Sequence, residues 1–181
     1  MFEEFLQTTD PELLAEENFS RQQLGSIVVS DQNPDGMHVA LVGVKEDRGS
    51  VKNNGCADAP DLIRRHLFSL SKPPGNVKII DLGNIEKGES IRDTYVALSK
   101  VVNELIHLKI VPVILGGSHD LTFGQFGGYQ DLNRMINMTV VDQTIDLKEE
   151  QPEIDGRDHG DLFVFFPDIG VKDDAANHDD R

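Results

Sequence analysis

At 181 residues the chain is long enough for one domain with its own hydrophobic core. A formal charge of −15 excludes nucleic acid and anionic membrane surfaces as expected partners, because both demand clustered Lys and Arg. The single cysteine, Cys56, leaves no intrachain disulfide, no apolar run approaches a membrane span, and Phe2-Glu3-Glu4-Phe5 stands where a basic, apolar leader would begin; a soluble protein of the reducing cytoplasm is expected.

Residues 1–36 read as an arm, in which Met1 to Gln32 are polar with scattered apolar positions and are expected to be irregular or partly helical. His38-Val-Ala-Leu-Val-Gly-Val44 is a compact apolar run closed by the polar Lys45-Glu-Asp-Arg-Gly49 loop, the pattern of a buried strand. After a Gly/Asn-rich loop, Pro60 to Leu70 carries apolar residues at helical spacing, with Pro60 suited to a first-turn position. The alternation continues with a strand at Val77 to Leu82, a helix from Ile91 to His107, a strand at Val111 to Leu115, a helix near Leu121 to Tyr129 and a strand at Asn137 to Asp142. Beyond Asp146 the chain is acidic and loop-like, with one apolar run at Leu162 to Phe166 ended by Pro167, and Asp173 to Arg181 reads as a solvated tail or a broken-off end. Alternating strands and helices predict an α/β fold: a mostly parallel sheet with helices on both faces, three layers in all. In such sheets ligands sit at the carboxyl ends of the strands, so the residues just after Val44, Leu115 and Val141 are the first candidates for function.

Leu115-Gly-Gly-Ser-His-Asp120 puts two glycines directly after a buried strand, so the backbone turns sharply and presents His119 at the rim of the sheet. Histidine is a common metal ligand and general base, although a rim histidine by itself is more often an ordinary hydrogen-bonded side chain. One strand later comes Val141-Asp-Gln-Thr-Ile-Asp146. In an extended segment side chains repeat every two residues, which would align Asp142, Thr144 and Asp146 on one side. Carboxylates gathered at one strand end repel each other unless a cation sits between them, and oxygen plus imidazole ligation suits a hard divalent ion such as Mn2+. The plainer reading is a pair of solvated loop aspartates, one of them capping the next helix.

Gly116-Gly-Ser-His119 followed by Asp142-Gln-Thr-Ile-Asp146 resembles the two N-terminal metal signatures of the ureohydrolases (the arginase, agmatinase and formiminoglutamase family), Gly-Gly-x-His and Asp-x-His-x-Asp. Gly43-Val-Lys-Glu-Asp-Arg-Gly49 and Asn53-Asn-Gly-Cys-Ala-Asp-Ala-Pro-Asp-Leu-Ile-Arg64 are also similar to stretches of that family, so that the resemblance covers most of His38 to Asp146. It implies an arginase-like three-layer core over residues 37–146, followed by an acidic segment over 147–181, and a sheet incomplete on its C-terminal side. It makes His119, Asp142 and Asp146 ligands of one manganese, with Asp142 bridging to a second. Thr144 stands where the family has a histidine, and a neutral hydroxyl is a far poorer manganese ligand than imidazole. The family's later Ser-x-Asp-x-Asp-x-x-Asp-Pro motif does not occur in this sequence, and Asp173-Asp174 and Asp179-Asp180 do not substitute for it. At most one weakly held Mn2+ is therefore expected here, against two in the family. Gly156-Arg-Asp-His-Gly160 resembles a family loop whose histidine shuttles protons to the leaving group, which makes His159 a candidate acid/base; by itself His159 reads equally as a solvated loop histidine.

The resemblance implies a metal-dependent C–N hydrolase of a small guanidino or formimino compound, with this chain an N-terminal portion that is itself inactive. A second expectation is a non-catalytic relative whose degenerate metal site leaves its surface to binding or oligomerisation. A flavodoxin-like domain with an acidic pocket is a third, and it leaves the Gly-Gly-Ser-His turn unexplained. A last strand at Asn137 to Asp142 with nothing beside it would leave an open edge, from which self-association is expected.

Overall fold

Runs of β-branched and aliphatic residues bounded by Gly, Asn and Asp give this chain its strands, and helical spacing between them gives its helices. The computed structural model describes residues 3–13, 15, 18–50, 53–132, 138–141 and 162–165. In chain order these form β1 (Leu6–Gln7), β2 (Val28–Ser30), β3 (Val39–Val44), α1 (Ala59–Leu67), β4 (Ile79–Ile85), α2 (Ile91–His107), β5 (Val111–Leu115), α3 (Leu121–Gly127), β6 (Met138–Val141) and β7 (Leu162–Phe165). β4 is the centre of the main sheet. It pairs in parallel with β3, which pairs in parallel with β5. On its other edge β4 takes β2 in parallel near its start and β1 antiparallel near its end. The sheet is thus mostly parallel, as expected.

Both faces of the sheet are covered, giving three layers. Ala40, Val42 and Val44 of β3 join Ile80, Leu82 and Ile85 of β4 in one cluster with Leu98, Val101, Val102 and Leu105 of α2. The opposite face buries Leu41, Ile79 and Leu115 with Phe68, at the end of α1, and Leu24 of the arm. The switch from even to odd core positions along β4 has a local cause. Leu41 pairs with Asp81 while Gly43 pairs with Asn84, so β4 carries one extra residue, a bulge that includes Gly83 at φ 91°. The bulge restores Ile85 to the α2 face and leaves Asp81 and Asn84 together on the α1 face.

There they meet Arg64, which is fully buried. Its Nε donates to Asp81 Oδ2 at 2.7 Å and its Nη2 to Asp81 Oδ1 at 2.9 Å and the Gly83 carbonyl at 2.8 Å. Nη1 donates to Asn84 Oδ1 at 2.6 Å and to Asp61 Oδ1 at 3.3 Å. A guanidinium has five N–H donors, and here each has an acceptor. α1 therefore turns Leu62 and Ile63 outward and Arg64 inward, the reverse of an ordinary amphipathic helix.

Several expected boundaries move. α2 and β5 lie where the sequence puts them, whereas α1 ends at Leu67 rather than Leu70 and β4 runs from Ile79 to Ile85 rather than from Val77 to Leu82. Reading Met1 to Gln32 as irregular or partly helical captures short 3-10 turns at Glu3–Phe5, Pro11–Leu13 and Leu24–Ile27 but misses β1 and β2, whose register comes from β4 and not from local sequence. β6 does not extend the main sheet among the described residues. It pairs antiparallel with β7, so one edge expected to be open is taken by the apolar run that reads from sequence as part of a loop-like region. Among the described residues the outermost strand beyond β3 is β5. Among the described residues no helix is long and apolar enough to cross a membrane.

Candidate metal centre at the end of strand β5

The turn that follows β5 is built from the two glycines and from contacts with the end of β3. Gly116 and Gly117 both have positive φ, 61° and 91°. A Cβ on Gly117 would lie 2.3 Å from Leu121 Cδ1 and 2.7 Å from the Val44 carbonyl oxygen, so this position is closed to any side chain. The Ser118 N–H then donates to the Glu46 carbonyl at 2.8 Å. His119 follows at an exposed position, and its own carbonyl accepts from the Thr122 N–H at 3.1 Å and the Thr122 hydroxyl at 2.8 Å. An imidazole is thereby carried at the carboxyl end of a parallel strand, where α/β sheets hold their ligands.

The loop after β3 is stapled by three ion pairs in succession. Lys45 Nζ lies 2.9 Å from Asp61 Oδ2, Glu46 holds Arg48, and Asp47 pairs with Lys87. The Glu46 side chain is buried and accepts from Arg48 Nε at 2.9 Å, Arg48 Nη2 at 2.6 Å and the Thr94 hydroxyl at 2.8 Å. Arg48 also reaches the carbonyls of Gly88 and Glu89, each at 3.0 Å, and so ties the loop to the start of α2. Burial pushes the Glu46 carboxyl up, but the Arg48 guanidinium and backbone N–H, together with Thr94, outweigh it and hold the group down at about 2. A depressed carboxylate stabilises the fold above its unfolded value of 4.5 and ceases to do so as pH falls through about 2. Urea denaturation of Glu46→Gln and the parent protein is expected to differ by on the order of 2 kcal/mol at neutral pH. The difference should close between pH 4.5 and 2; a gap that persists unchanged at pH 2 would show the charge of Glu46 to be immaterial.

Of the predicted site residues, the structure describes His119. Asp142, Thr144, Asp146 and His159 lie outside the described residues. No group of three or more His, Cys, Asp or Glu side chains among the described residues could hold a metal ion. His119 offers an imidazole nitrogen at this strand end, and imidazole together with carboxylate oxygens, as the sequence leads one to expect from Asp142 and Asp146, is donor chemistry that suits Mn2+.

Beside His119 stand groups that sequence reasoning does not single out. Asp120 accepts a short hydrogen bond from the Tyr95 phenol, and its Oδ1, like the Ser118 hydroxyl, is buried without a hydrogen-bond partner among the described residues. Burial first, and then donation to Asp120, push the Tyr95 phenol well above the ordinary tyrosine range, so it remains a neutral donor. Tyr95 is 25 residues before Asp120, on the far side of a helix, a turn and a strand, and no sequence signal joins them.

Comparison with known proteins places these features in context. The sequence model of the arginase family matches residues 37–177. A formimidoylglutamase of Streptococcus pyogenes is 33% identical over 113 residues, 59% of this chain and 34% of that protein. The chain thus spans about a third of the length of the curated relatives it matches. In structure, the formimidoylglutamase of Bacillus subtilis superposes with a TM-score of 0.56 at 21% identity, over 64% of this chain and 40% of that one. The formiminoglutamase of Trypanosoma cruzi, solved with Mn2+, gives a TM-score of 0.51 at 19% identity, over 56% and 37%. At those identities the two structures speak for the fold alone. The family match, in contrast, extends from just before β3 through the His119 turn and past β7, well over half of the sequence, and on that ground the chain belongs to the arginase family.

Proposed function

We propose that the chain contributes the first part of a manganese site to a hydrolase that cleaves a C–N bond of a formimino or guanidino compound. The observation that carries this reading is the exposed imidazole of His119 on a glycine turn at the end of β5, held to the Glu46 carbonyl. The names of the relatives favour a formimino substrate. His119, Asp142 and Asp146 would hold the ion, with Thr144 a poor fourth donor. A bound Mn2+ supplies Lewis-acid activation of water near neutral pH. The chain's own part is to orient His119, to place Asp142 and Asp146 with it, and to offer His159 for proton transfer to the leaving nitrogen. Thr144, standing where the family has a histidine, favours a second reading: a related domain that binds metal weakly and does not catalyse.

Calorimetric titration with MnCl2 tests the site. At most one ion per chain is expected to bind, and His119→Ala is expected to abolish binding, because it removes the imidazole from a site with few donors. Absence of binding at millimolar metal would remove the manganese reading. Release of formamide or urea by this chain in proportion to manganese would show that the later carboxylate motif is dispensable.

A further inference from the structure

Asp120 sits at the first position before α3, where an aspartate ordinarily accepts from the backbone N–H groups of the helix's first turn. It does not do so: no side-chain capping bond is made, and the carboxylate turns instead to the Tyr95 hydroxyl. Gly49 closes on the same carboxyl from the loop after β3, so near that a Cβ there would lie 2.1 Å from Asp120 Cγ. α3 in turn approaches α2 at Tyr95 itself, since a Cβ on Gly124 would lie 3.0 Å from Tyr95 Cα. The preceding residue of α2, Thr94, donates to Glu46, whose carbonyl accepts from Ser118. His119 is therefore bracketed. The residue before it is tied to α2 through Glu46 and Thr94, and the residue after it is tied to α2 through Tyr95.

We propose that Tyr95 and Asp120 are positioning residues for His119, locking the turn to α2 so that the imidazole is held ready for the metal ion. The inference rests on the reading of His119 as a metal ligand. Capping cannot account for Asp120, because the bond that would do it is absent. A merely solvated aspartate does not account for it either, since Oδ1 is buried and Oδ2 is taken by a phenol. Two helices and the β3 loop converge on one carboxylate whose neighbour in sequence is the candidate ligand.

Tyr95→Phe removes the donor and keeps the ring; Asp120→Ala removes the acceptor; Asp120→Asn removes the charge and keeps an acceptor. Two readouts on the full chain apply: the His119 side-chain 1H–13C cross-peak in metal-free protein, and the affinity for Mn2+ from the EPR signal of the free ion. Tyr95→Phe and Asp120→Ala are expected to shift the cross-peak and weaken manganese binding about tenfold, the usual scale for groups that orient a ligand. Asp120→Asn is expected to stay within about twofold of the parent protein, because positioning needs the acceptor and not the charge. An unmoved His119 signal and unchanged affinity in Tyr95→Phe would overturn the proposal, as would Asp120→Asn behaving like Asp120→Ala. If Tyr95→Phe does not fold, the Asp120 pair makes the same decision. If the parent protein binds no manganese, the metal reading falls by itself and the His119 cross-peak alone decides on positioning.

Discussion

Arg64→Ala is expected to lower the stability of the domain by about 3–5 kcal/mol, the scale found when one partner of a buried ion pair is removed. The loss is not that of one salt bridge. Arg64 and Asp81 are both inaccessible to solvent, and truncating the guanidinium leaves the Asp81 carboxylate with Thr9 and the Gly83 N–H as its remaining donors. It also strands Asn84 Oδ1 and the Gly83 carbonyl, which accept from the same side chain, and opens a cavity between α1 and β4. Urea denaturation of the parent and variant proteins measures the effect. The companion change Arg64→Met with Asp81→Leu is expected to recover part of the loss, because well-packed apolar replacements of a buried pair are often near neutral. Equal destabilisation of the single and double variants would mean that the cluster acts through shape and backbone contacts, with charge contributing nothing.

Gly117→Ala should be nearly as damaging and should act on the candidate site as well. At φ 91° an alanine is strained by about 1–2 kcal/mol before any contact is considered. Its Cβ would also meet the Val44 carbonyl oxygen at 2.7 Å and the Glu46 carbonyl oxygen at 3.2 Å. Those oxygens belong to the end of β3 and to the loop that follows it, and the Glu46 carbonyl is the acceptor of the Ser118 N–H, so relief of the clash has to lift the turn off them. A total cost of about 2–4 kcal/mol is expected, with manganese binding lost along with the placement of His119. Gly75 provides the control. Its φ is similar, 88°, but nothing lies within 4 Å of a Cβ there, so Gly75→Ala should show the conformational cost alone, about 1–2 kcal/mol, and leave the His119 turn in place. If the two alanine variants unfold at the same urea concentration, the close packing of the turn on β3 is not what holds it.

Much of this architecture is legible in the chain, and the reasons are local. α2 is bounded correctly because Leu98, Val101, Val102 and Leu105 recur at helical spacing, and the structure adds a start signal there, with the Ser90 N–H donating to Asp93 Oδ2 at 2.7 Å. The His119 turn is legible because two glycines directly after an apolar run leave few alternatives to a sharp bend. What escapes the sequence is non-local. β1 and β2 are two and three residues long, too short to carry a period, and exist because β4 pairs with them. Arg64, between Ile63 and Arg65, reads as part of a solvated face, and only the bulge at Gly83 brings Asn84 round to the face on which Asp81 meets it. The tie between Tyr95 and Asp120 is likewise invisible, since each residue is unremarkable in its own segment. Of the candidate site, His119 is placed by the structure at the strand end that the sequence designates, while Asp142, Thr144, Asp146 and His159 remain readings of the sequence.

The central place of β4 also governs the order in which the domain can assemble on the ribosome. β1, β2 and β3 all precede it, and every one of them pairs with it. Residues 6–44 therefore include three strands whose shared partner, β4, is made later. β1, β2 and β3 have no β4 to pair with until Ile79 to Ile85 have been synthesised, and before then Leu6 and Val42 lack Ile80, Leu82 and Ile85 as packing partners.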